Sequence, residues 1–287
     1  MNSEQKNAAL PWWELVFSCS DADDFAASAL GFGASGAHLS DEHHVTCYLQ
    51  AEEAAKDLFC AKAQQNGGQF ISAKLVEEKN WNATCPDLWE RLQIGTLEIV
   101  PVATENEAGQ PTQDSHRQLR IVPGTGFGTG HHPTTSMIIE LLQAAQVVAE
   151  PPKKVLDVGT GSGILAIAAW KLFGVPVEAV DIDPLALENA ATNATLNHCS
   201  TALSFSTTPA SALTGRFNLI LANIYAEVLQ SLRPDFQRLL AADGTLIVSG
   251  IMLPLASQLQ QDFEMNAWKT LHRLERLGWV SFVFKRA

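Results

Sequence analysis

The chain contains 287 residues, of which 46% are hydrophobic, and it carries a formal net charge of -12. This length is sufficient for one large domain and one small domain, each with a core. The acidic balance disfavours a long surface that follows nucleic-acid phosphates, because such surfaces are built from clustered Lys and Arg. We therefore expect no direct nucleic-acid binding, and a basic protein partner suits this charge better.

The sequence also bears on where the protein works. No stretch of about 18 or more uninterrupted apolar residues occurs, and the beginning MNSEQKNAAL lacks the basic-then-apolar order of a secretion signal. The five cysteines form no C-x-x-C pair, and their odd number argues against a disulfide framework or a structural zinc site. We expect a folded, monomeric, cytoplasmic protein that does not bind membranes.

Residues 1–82 alternate short strand and helix patterns. The predicted strands are WWELVFSCS, HHVTCYLQ and QFISAKLVEE, and the predicted helices are DADDFAASALGF and AEEAAKDLFCAKAQQNGG. A small sheet with two helices on one face accounts for this order. Residues 83–95 are predicted to be a linker, and the polar, turn-rich segment 104–118 is predicted to be a solvated loop.

Residues 96–287 are predicted to form a parallel α/β domain. Its strand patterns are KKVLDVG, VPVEAVDID, FNLILAN and GTLIVSG, and its helix patterns include SGILAIAAWKLFG and PLALENAATNATLN. RLGWVSFVFKR predicts a final strand that returns antiparallel at the sheet edge. The alternation therefore predicts an open sheet, and open sheets bind ligands outside the carboxyl ends of their strands.

The segment VLDVGTGSGILAIAAW, residues 155–170, contains a glycine turn between a strand and a helix. It is not a triphosphate-binding loop, because no Lys-Ser or Lys-Thr pair follows the glycines. It is a poor dinucleotide fingerprint, because Gly159, Gly161 and Gly163 alternate and Ile164 stands where the third glycine of that motif belongs. The remaining pattern, Asp-x-Gly-x-Gly-x-Gly, resembles class I methyltransferases that use S-adenosylmethionine.

The same region offers a consistent set of contacts for that cofactor. Gly159 and Gly161 would let the backbone pass close to its methionine part, and the carboxylate of that part would face the amides that open the helix. Asp157 would help to orient the turn and the ammonium group. Asp181 ends the second strand and can accept hydrogen bonds from both ribose hydroxyls. Asn223 ends the third strand, where it either binds ligand or satisfies its own turn. Asp183 precedes a proline and is expected to cap a helix.

A second glycine-rich segment, PGTGFGTGHHPTT, precedes the helix pattern SMIIELLQAAQVV. Composition leaves two interpretations open. Thr134 or Thr135 caps the helix and the glycines form a mobile loop, or the loop covers the cofactor with Thr135, Phe127 and Gly128 lining the pocket. The adjacent residues His131 and His132 point apart and have no nearby partner with ligand spacing, so no metal site is expected.

With these segments the sequence resembles the ribosomal protein L11 methyltransferase family. The matching segments run from Trp89 to Ile251; they are IGTLEIVP, PGTGFGTGHHPTT, VLDVGTGSGILAIAAWKLFG, VDIDPLALENAATNATLN, LANIYAEVL and LIVSGI. The resemblance implies an α/β fold with the mixed, Rossmann-like sheet of class I methyltransferases and a small N-terminal α+β ferredoxin-like domain. It implies cofactor contacts at Thr135, Gly159, Asp181 and Asn223, and thereby favours the binding interpretation of the second glycine-rich segment.

The resemblance further implies a reaction. S-adenosylmethionine would be used to methylate lysine side chains, N-terminal α-amino groups or both on ribosomal protein L11, which residues 1–82 would recognise. No side chain is required as a general base, and Asn223 is expected to act in catalysis by aiming the amine. The chain departs from the family pattern at Gly126, at Thr160, where cysteine is frequent, and in an insertion at 104–118.

Three alternatives remain open from the sequence. The first is a related methyltransferase that acts on another protein or on a small molecule. The second is a noncatalytic ribosome-binding module that keeps only the scaffold, and the third is an NAD oxidoreductase.

Overall fold

The structure is a computed structural model that describes residues 12–31, 33–34, 36–50, 53–76, 91–102, 117–122, 130–144 and 150–287. The chain divides into two compact units, Met1–Thr84 and Cys85–Ala287. The division falls inside the predicted linker 83–95, and the predicted loop 104–118 lies almost wholly outside the described residues. No helix in the described ranges is long and apolar enough to cross a membrane.

The first unit contains a four-stranded antiparallel sheet with the strand order β2-β3-β1-β4. Phe17 of the first strand contacts the ring of Phe25 from one helix and the ring of Phe59 from the other, so both helices cover one face of the sheet. The described elements, in chain order, are β1 (Trp12–Ser18), α1 (Ala22–Gly31), β2 (Gly36–Asp41), β3 (His44–Gln50), α2 (Glu53–Gln65) and β4 (Gln69–Val76).

Strand β2 has no counterpart among the strands predicted from the sequence. Its residues, GAHLSD, lack the alternation of apolar and polar side chains that identifies a half-buried strand. It forms because the two-residue connection Glu42–His43 folds it back onto β3, where Asp41 Oδ1 accepts a hydrogen bond from the backbone N–H of His43 at 2.8 Å. Tertiary pairing therefore determines this strand, whereas local sequence does not.

The second unit contains ten strands and five α-helices within the described ranges. The helices are α3 (Pro133–Gln143), α4 (Ile164–Phe173), α5 (Pro184–Leu196), α6 (Ala226–Leu239) and α7 (Leu253–Met265). The strands are β5 (Leu92–Ile94), β6 (Leu97–Pro101), β7 (Gln118–Ile121), β8 (Val155–Val158), β9 (Val177–Val180), β10 (Leu203–Ser206), β11 (Phe217–Asn223), β12 (Leu240–Met252), β13 (Trp268–Arg276) and β14 (Trp279–Arg286).

Seven of these strands form the main sheet, in the order β10-β9-β8-β11-β12-β14-β13. Strands β8 to β12 pair in parallel, and β14 pairs antiparallel with both β12 and β13. The expected antiparallel return is therefore confirmed, but its placement at the sheet edge is wrong. Strand β13, which the sequence interpretation did not contain, occupies the edge, and β14 lies between it and β12.

Both faces of the main sheet are buried, which explains the nearly continuous apolar runs of its strands. Along β11, Leu219 and Leu221 belong to the core cluster that includes α3 and α4, whereas Ile220 and Ala222 belong to the cluster on the other face, with α6 and α7. Strands β5, β6 and β7 form a separate three-stranded sheet, and β5 lies within the segment predicted to be the linker. Polar residues interrupt the apolar runs at the carboxyl ends of β8, β9 and β11.

Candidate active site

The carboxyl ends of β8, β9 and β11 lie side by side, because β8 pairs with both of the other strands. The predicted glycine turn follows β8, Asp181 follows β9, and Asn223 is the last residue of β11. The structure therefore brings together the residues that the sequence placed at three strand ends. Of the other predicted contacts, Phe127 and Gly128 lie outside the described residues.

The glycine turn requires backbone conformations that side chains disfavour. Gly159, Gly161 and Gly163 have φ values of 72°, 54° and 79°, and non-glycine residues reach this left-handed region at a cost of about 1–2 kcal/mol. At Gly159 there is also no room, because a Cβ atom would lie 2.5 Å from Cγ2 of Ile224. The turn is tied to β9 by a hydrogen bond from the Gly159 N–H to the Val180 carbonyl at 2.8 Å.

Asp157, within β8, is fully buried below this turn. Burial raises the pKa of its carboxyl group from 3.8 to about 7, against the lowering effect of a hydrogen bond from the Thr160 hydroxyl to Oδ2 at 2.6 Å. A buried carboxyl group in this state gains stability if a cation is placed beside it. Thr160, noted above only as a departure from the family pattern, thus contacts a predicted cofactor residue.

Asp181 connects the second strand end to the glycine turn. Its Oδ2 accepts a hydrogen bond from the Gly161 N–H at 2.9 Å, and its Oδ1 accepts one from the Asp183 N–H at 3.1 Å. A carboxylate has about four lone-pair positions, so both oxygens can still accept ligand hydroxyls. Asp183 is confirmed as the N-cap of α5, since its Oδ1 accepts a hydrogen bond from the Leu185 N–H at 2.9 Å and Pro184 follows it.

Thr135 and Asn223 contact each other although they are 88 residues apart in the chain. Asn223 Nδ2 donates a hydrogen bond to Thr135 Oγ1 at 3.1 Å, and Thr135 is fully buried. Asn223 Oδ1 is buried and has no hydrogen-bond partner among the described residues. The site therefore contains an oriented amide whose acceptor atom remains available.

The cap of α3 differs from the one considered in the sequence. Neither Thr134 nor Thr135 caps this helix, because it begins at Pro133 and its N-cap is His132. The His132 ring accepts a hydrogen bond from the Thr134 N–H and contacts the Trp279 ring at 5.0 Å between centroids. Burial lowers the pKa of His132. Within the described part of the chain, no group of three or more His, Cys, Asp or Glu residues could hold a metal ion.

Two exposed side chains next to the predicted contacts add apolar surface to the site. Ile182, directly after Asp181, is 89% exposed, and Tyr225, two residues after Asn223, is 62% exposed. The sequence contained one signal for Ile182, which lies between two aspartates beyond the end of β9. An apolar side chain at this position cannot pack on a face of the strand. Such a surface beside a carboxylate can contact the flat face of a nucleobase.

The strand order, with five parallel strands and an antiparallel hairpin, together with the glycine turn and the acidic residue after β9, defines a class I methyltransferase. A family model described as ribosomal protein L11 methyltransferase (PrmA) matches residues 17–287. The chain belongs to this family.

Individual relatives agree with the family match. Proteins named ribosomal protein L11 methyltransferase from Pelobacter propionicus and Desulfitobacterium hafniense are 34% and 32% identical to the chain. These alignments cover 93% and 91% of the chain, and 87% and 81% of the relatives. A crystal structure of ribosomal protein L11 methylase from Lactobacillus delbrueckii subsp. bulgaricus superposes with a TM-score of 0.61 at 33% identity, covering 69% of this chain and 99% of that one.

Proposed function

We propose that the protein uses S-adenosylmethionine to methylate amino groups of ribosomal protein L11, on lysine side chains, on the N-terminal α-amino group or on both. The observation that carries this proposal is the buried Asn223 Oδ1, which has no hydrogen-bond partner among the described residues and lies at the end of β11, next to the strand that leads into the glycine turn, in a chain of this family. An amine that donates a hydrogen bond to this oxygen would be held at the strand ends, next to a cofactor bound on the turn.

The residues present fit S-adenosylmethionine. Asp157 Oδ1 is buried and has no hydrogen-bond partner in the described ranges, and the ammonium group of the cofactor would stabilise the charged form of this carboxyl group. Asp181 would hold the ribose hydroxyls, and the exposed Ile182 would contact the adenine. The N–H groups that open α4 would face the cofactor carboxylate. Bound in this way, S-adenosylmethionine supplies an electrophilic methyl group on a positively charged sulfur.

The chain's own contribution to the reaction is then largely positioning. A protonated amine has no lone pair, and a lysine with a pKa near 10.4 is almost entirely protonated at neutral pH. Desolvation and the nearby positive charge of the cofactor both lower the amine pKa, so that its proton is released to solvent. Asn223, held by Thr135, would aim the neutral nitrogen, and the N–C bond would form as the S–C bond breaks.

We further infer that the first unit recognises the protein substrate and forms the ferredoxin-like module implied by the sequence. Strand β4 lies at the edge of its sheet and exposes Phe70, Ile71 and Leu75. Exposed apolar residues on a sheet edge are a common way to bind another chain. A ribosomal protein substrate also fits the cytoplasmic location expected from the sequence.

Mass spectrometry tests the reaction. Purified ribosomal protein L11 is incubated with S-adenosylmethionine and the full chain, and we expect mass additions in steps of one methyl group on amino groups. Asp181→Ala serves as the matched control and should abolish these additions at low cofactor concentration. Absence of any addition with the unaltered chain, although it binds S-adenosylhomocysteine, would instead favour another substrate or a noncatalytic role.

A further inference from the structure

One face of α5 and its C-cap present three asparagines spaced four residues apart: Asn189 and Asn193 in the helix and Asn197 at the cap. We call these residues the asparagine row. A polar row at this spacing on a helix is usually solvated, but Asn193 is 0% and Asn197 is 3% exposed. Their side-chain amides must therefore find partners inside the protein, because a buried amide without hydrogen bonds is costly.

The first set of partners is the end of strand β7 together with Val122, the residue directly after it. Asn197 Oδ1 accepts a hydrogen bond from the Arg120 N–H at 3.0 Å, and its Nδ2 donates one to the Arg120 carbonyl at 2.7 Å. Asn193 Oδ1 accepts a hydrogen bond from the Val122 N–H at 2.9 Å. Because β7 pairs with β6 on its other side, the asparagine row takes the place of a neighbouring strand along this edge.

Asn193 also forms a hydrogen bond to the glycine turn, which Asn197 does not. Its Nδ2 donates a hydrogen bond to the carbonyl oxygen of Ser162 at 2.8 Å, which lies in the glycine turn. In the same place α5 contacts the turn directly, since a Cβ atom on Gly163 would lie 3.1 Å from the Cβ atom of Ala190. Helix α5 thus packs against the glycine turn, and Asn193 is the residue that links the helix to the turn by a hydrogen bond.

The turn is held from two directions. On one side, the carboxylate of Asp181 accepts a hydrogen bond from the Gly161 N–H, and on the other side Asn193 fixes the Ser162 carbonyl. Fixing this carbonyl also fixes the peptide plane between Ser162 and Gly163, because the peptide bond is planar. The amides that open α4 directly after this plane are the groups expected to face the cofactor carboxylate.

We propose that Asn193 is a positioning residue that holds the glycine turn in its cofactor-binding conformation, whereas Asn197 supports only the fold. The inference rests on the proposed cofactor and names a residue that acts on it through the backbone of the turn. Loss of the Asn193 amide would remove this hydrogen bond from the Ser162 carbonyl and would let the turn adopt other conformations.

The test compares Asn193→Ala with Asn197→Ala in the full chain. Both variants remove buried hydrogen bonds to β7 and should unfold at lower urea concentration. In titration calorimetry, S-adenosylhomocysteine should bind Asn193→Ala about tenfold more weakly and Asn197→Ala within about twofold of the unaltered chain. With substrate protein, the KM for S-adenosylmethionine should rise for Asn193→Ala while kcat at saturation stays within about threefold.

A second variant and a second measurement keep the test decisive if Asn193→Ala folds poorly. Asn193→Asp keeps the acceptor for the Val122 N–H but cannot donate to Ser162, so it should also weaken ligand binding. The Gly163 N–H donates to the Thr160 carbonyl at 2.9 Å, and its hydrogen exchange should accelerate in both Asn193 variants but not in Asn197→Ala.

The outcomes separate this inference from the proposed function. The positioning role of Asn193 would be overturned if the Asn193 and Asn197 variants had equal effects on ligand binding and on the hydrogen exchange of the Gly163 N–H. If the unaltered chain does not bind S-adenosylhomocysteine, the proposed function fails, while Gly163 exchange, which needs no ligand, still decides the role of Asn193.

Discussion

Asn223 donates a hydrogen bond to Thr135, which joins the end of β11 to the first turn of α3. In this arrangement the Nδ2 end of the Asn223 amide faces Thr135, and the carbonyl oxygen is left as an acceptor without a partner in the described part of the chain. An amide that was free to turn would present its donor to the incoming amine as often as its acceptor. Thr135 is therefore expected to act on catalysis through Asn223, in addition to its predicted cofactor contact.

This relationship gives the first prediction. Thr135→Val keeps the volume of the side chain but removes the hydrogen bond, so kcat should fall by roughly tenfold, in keeping with the loss of one oriented hydrogen bond. Thr135→Ser keeps the hydroxyl group and should retain most of the activity. Steady-state kinetics on ribosomal protein L11 would check this, and equal kcat values for the two variants would contradict the orienting role.

The second prediction concerns Asp181. Asp181→Asn replaces a carboxylate that accepts hydrogen bonds at both oxygens, and it should weaken S-adenosylhomocysteine binding by about 1.5–3 kcal/mol, or roughly 10- to 150-fold. Asp183→Asn is the matched control, because asparagine also caps helices well and the residue is not expected to touch the cofactor. Calorimetry on both variants checks the ribose role, which unchanged affinity of the Asp181 variant would refute.

The third prediction follows from the raised pKa of Asp157. Binding of an ammonium group beside Asp157 requires the carboxylate form, so cofactor affinity should rise with pH up to about 7 and level off above it. Below that pH, cofactor binding should release a proton from Asp157. Calorimetry in buffers of different ionisation enthalpy measures this proton release. In Asp157→Asn this pH dependence should disappear.

Thr160 provides a finer test of the same group. Its hydroxyl lowers the pKa of Asp157, so Thr160→Val should move the rise in affinity to higher pH, and Thr160→Ser should not. The stability of the unliganded fold is expected to show the opposite trend with pH. The folded carboxyl, with its pKa about 7, binds more protons than the unfolded one, with its pKa of 3.8, so its contribution is present below pH 3.8 and is lost as pH rises to about 7. Urea unfolding at several pH values measures this loss.

The fourth prediction separates strain from crowding at Gly159. Gly159 and Gly174 have similar φ values, 72° and 67°, but a Cβ atom on Gly174 would meet nothing within 4 Å. Gly174→Ala should therefore cost about 1–2 kcal/mol of unfolding free energy. Gly159→Ala should cost more and should abolish cofactor binding, because its Cβ atom collides with the stiff, β-branched Ile224. Adding Ile224→Ala should recover part of the lost stability.

The strand ends of the site could be predicted from the sequence because each apolar run stops at a glycine, an aspartate or an asparagine. The order of β13 and β14 could not, because it depends on pairing between distant segments rather than on local pattern. His132 is an unusual helix cap, and the adjacent threonines gave the stronger local signal. The asparagine row has the spacing of a solvated helix face, so only its burial against β7 and the glycine turn reveals what it does.

The position of β14 inside the main sheet has a consequence for synthesis of the chain. Its residues, 279–286, are made after the other six strands of the main sheet, yet they separate β12 from β13. Until they emerge from the ribosome, the apolar edge of β12 has no neighbour, and pairing directly with β13 would be a misfolded arrangement. Strands β13 and β14 are therefore expected to join the sheet together as a hairpin, and the apolar edge of β12 would need protection until both have been made.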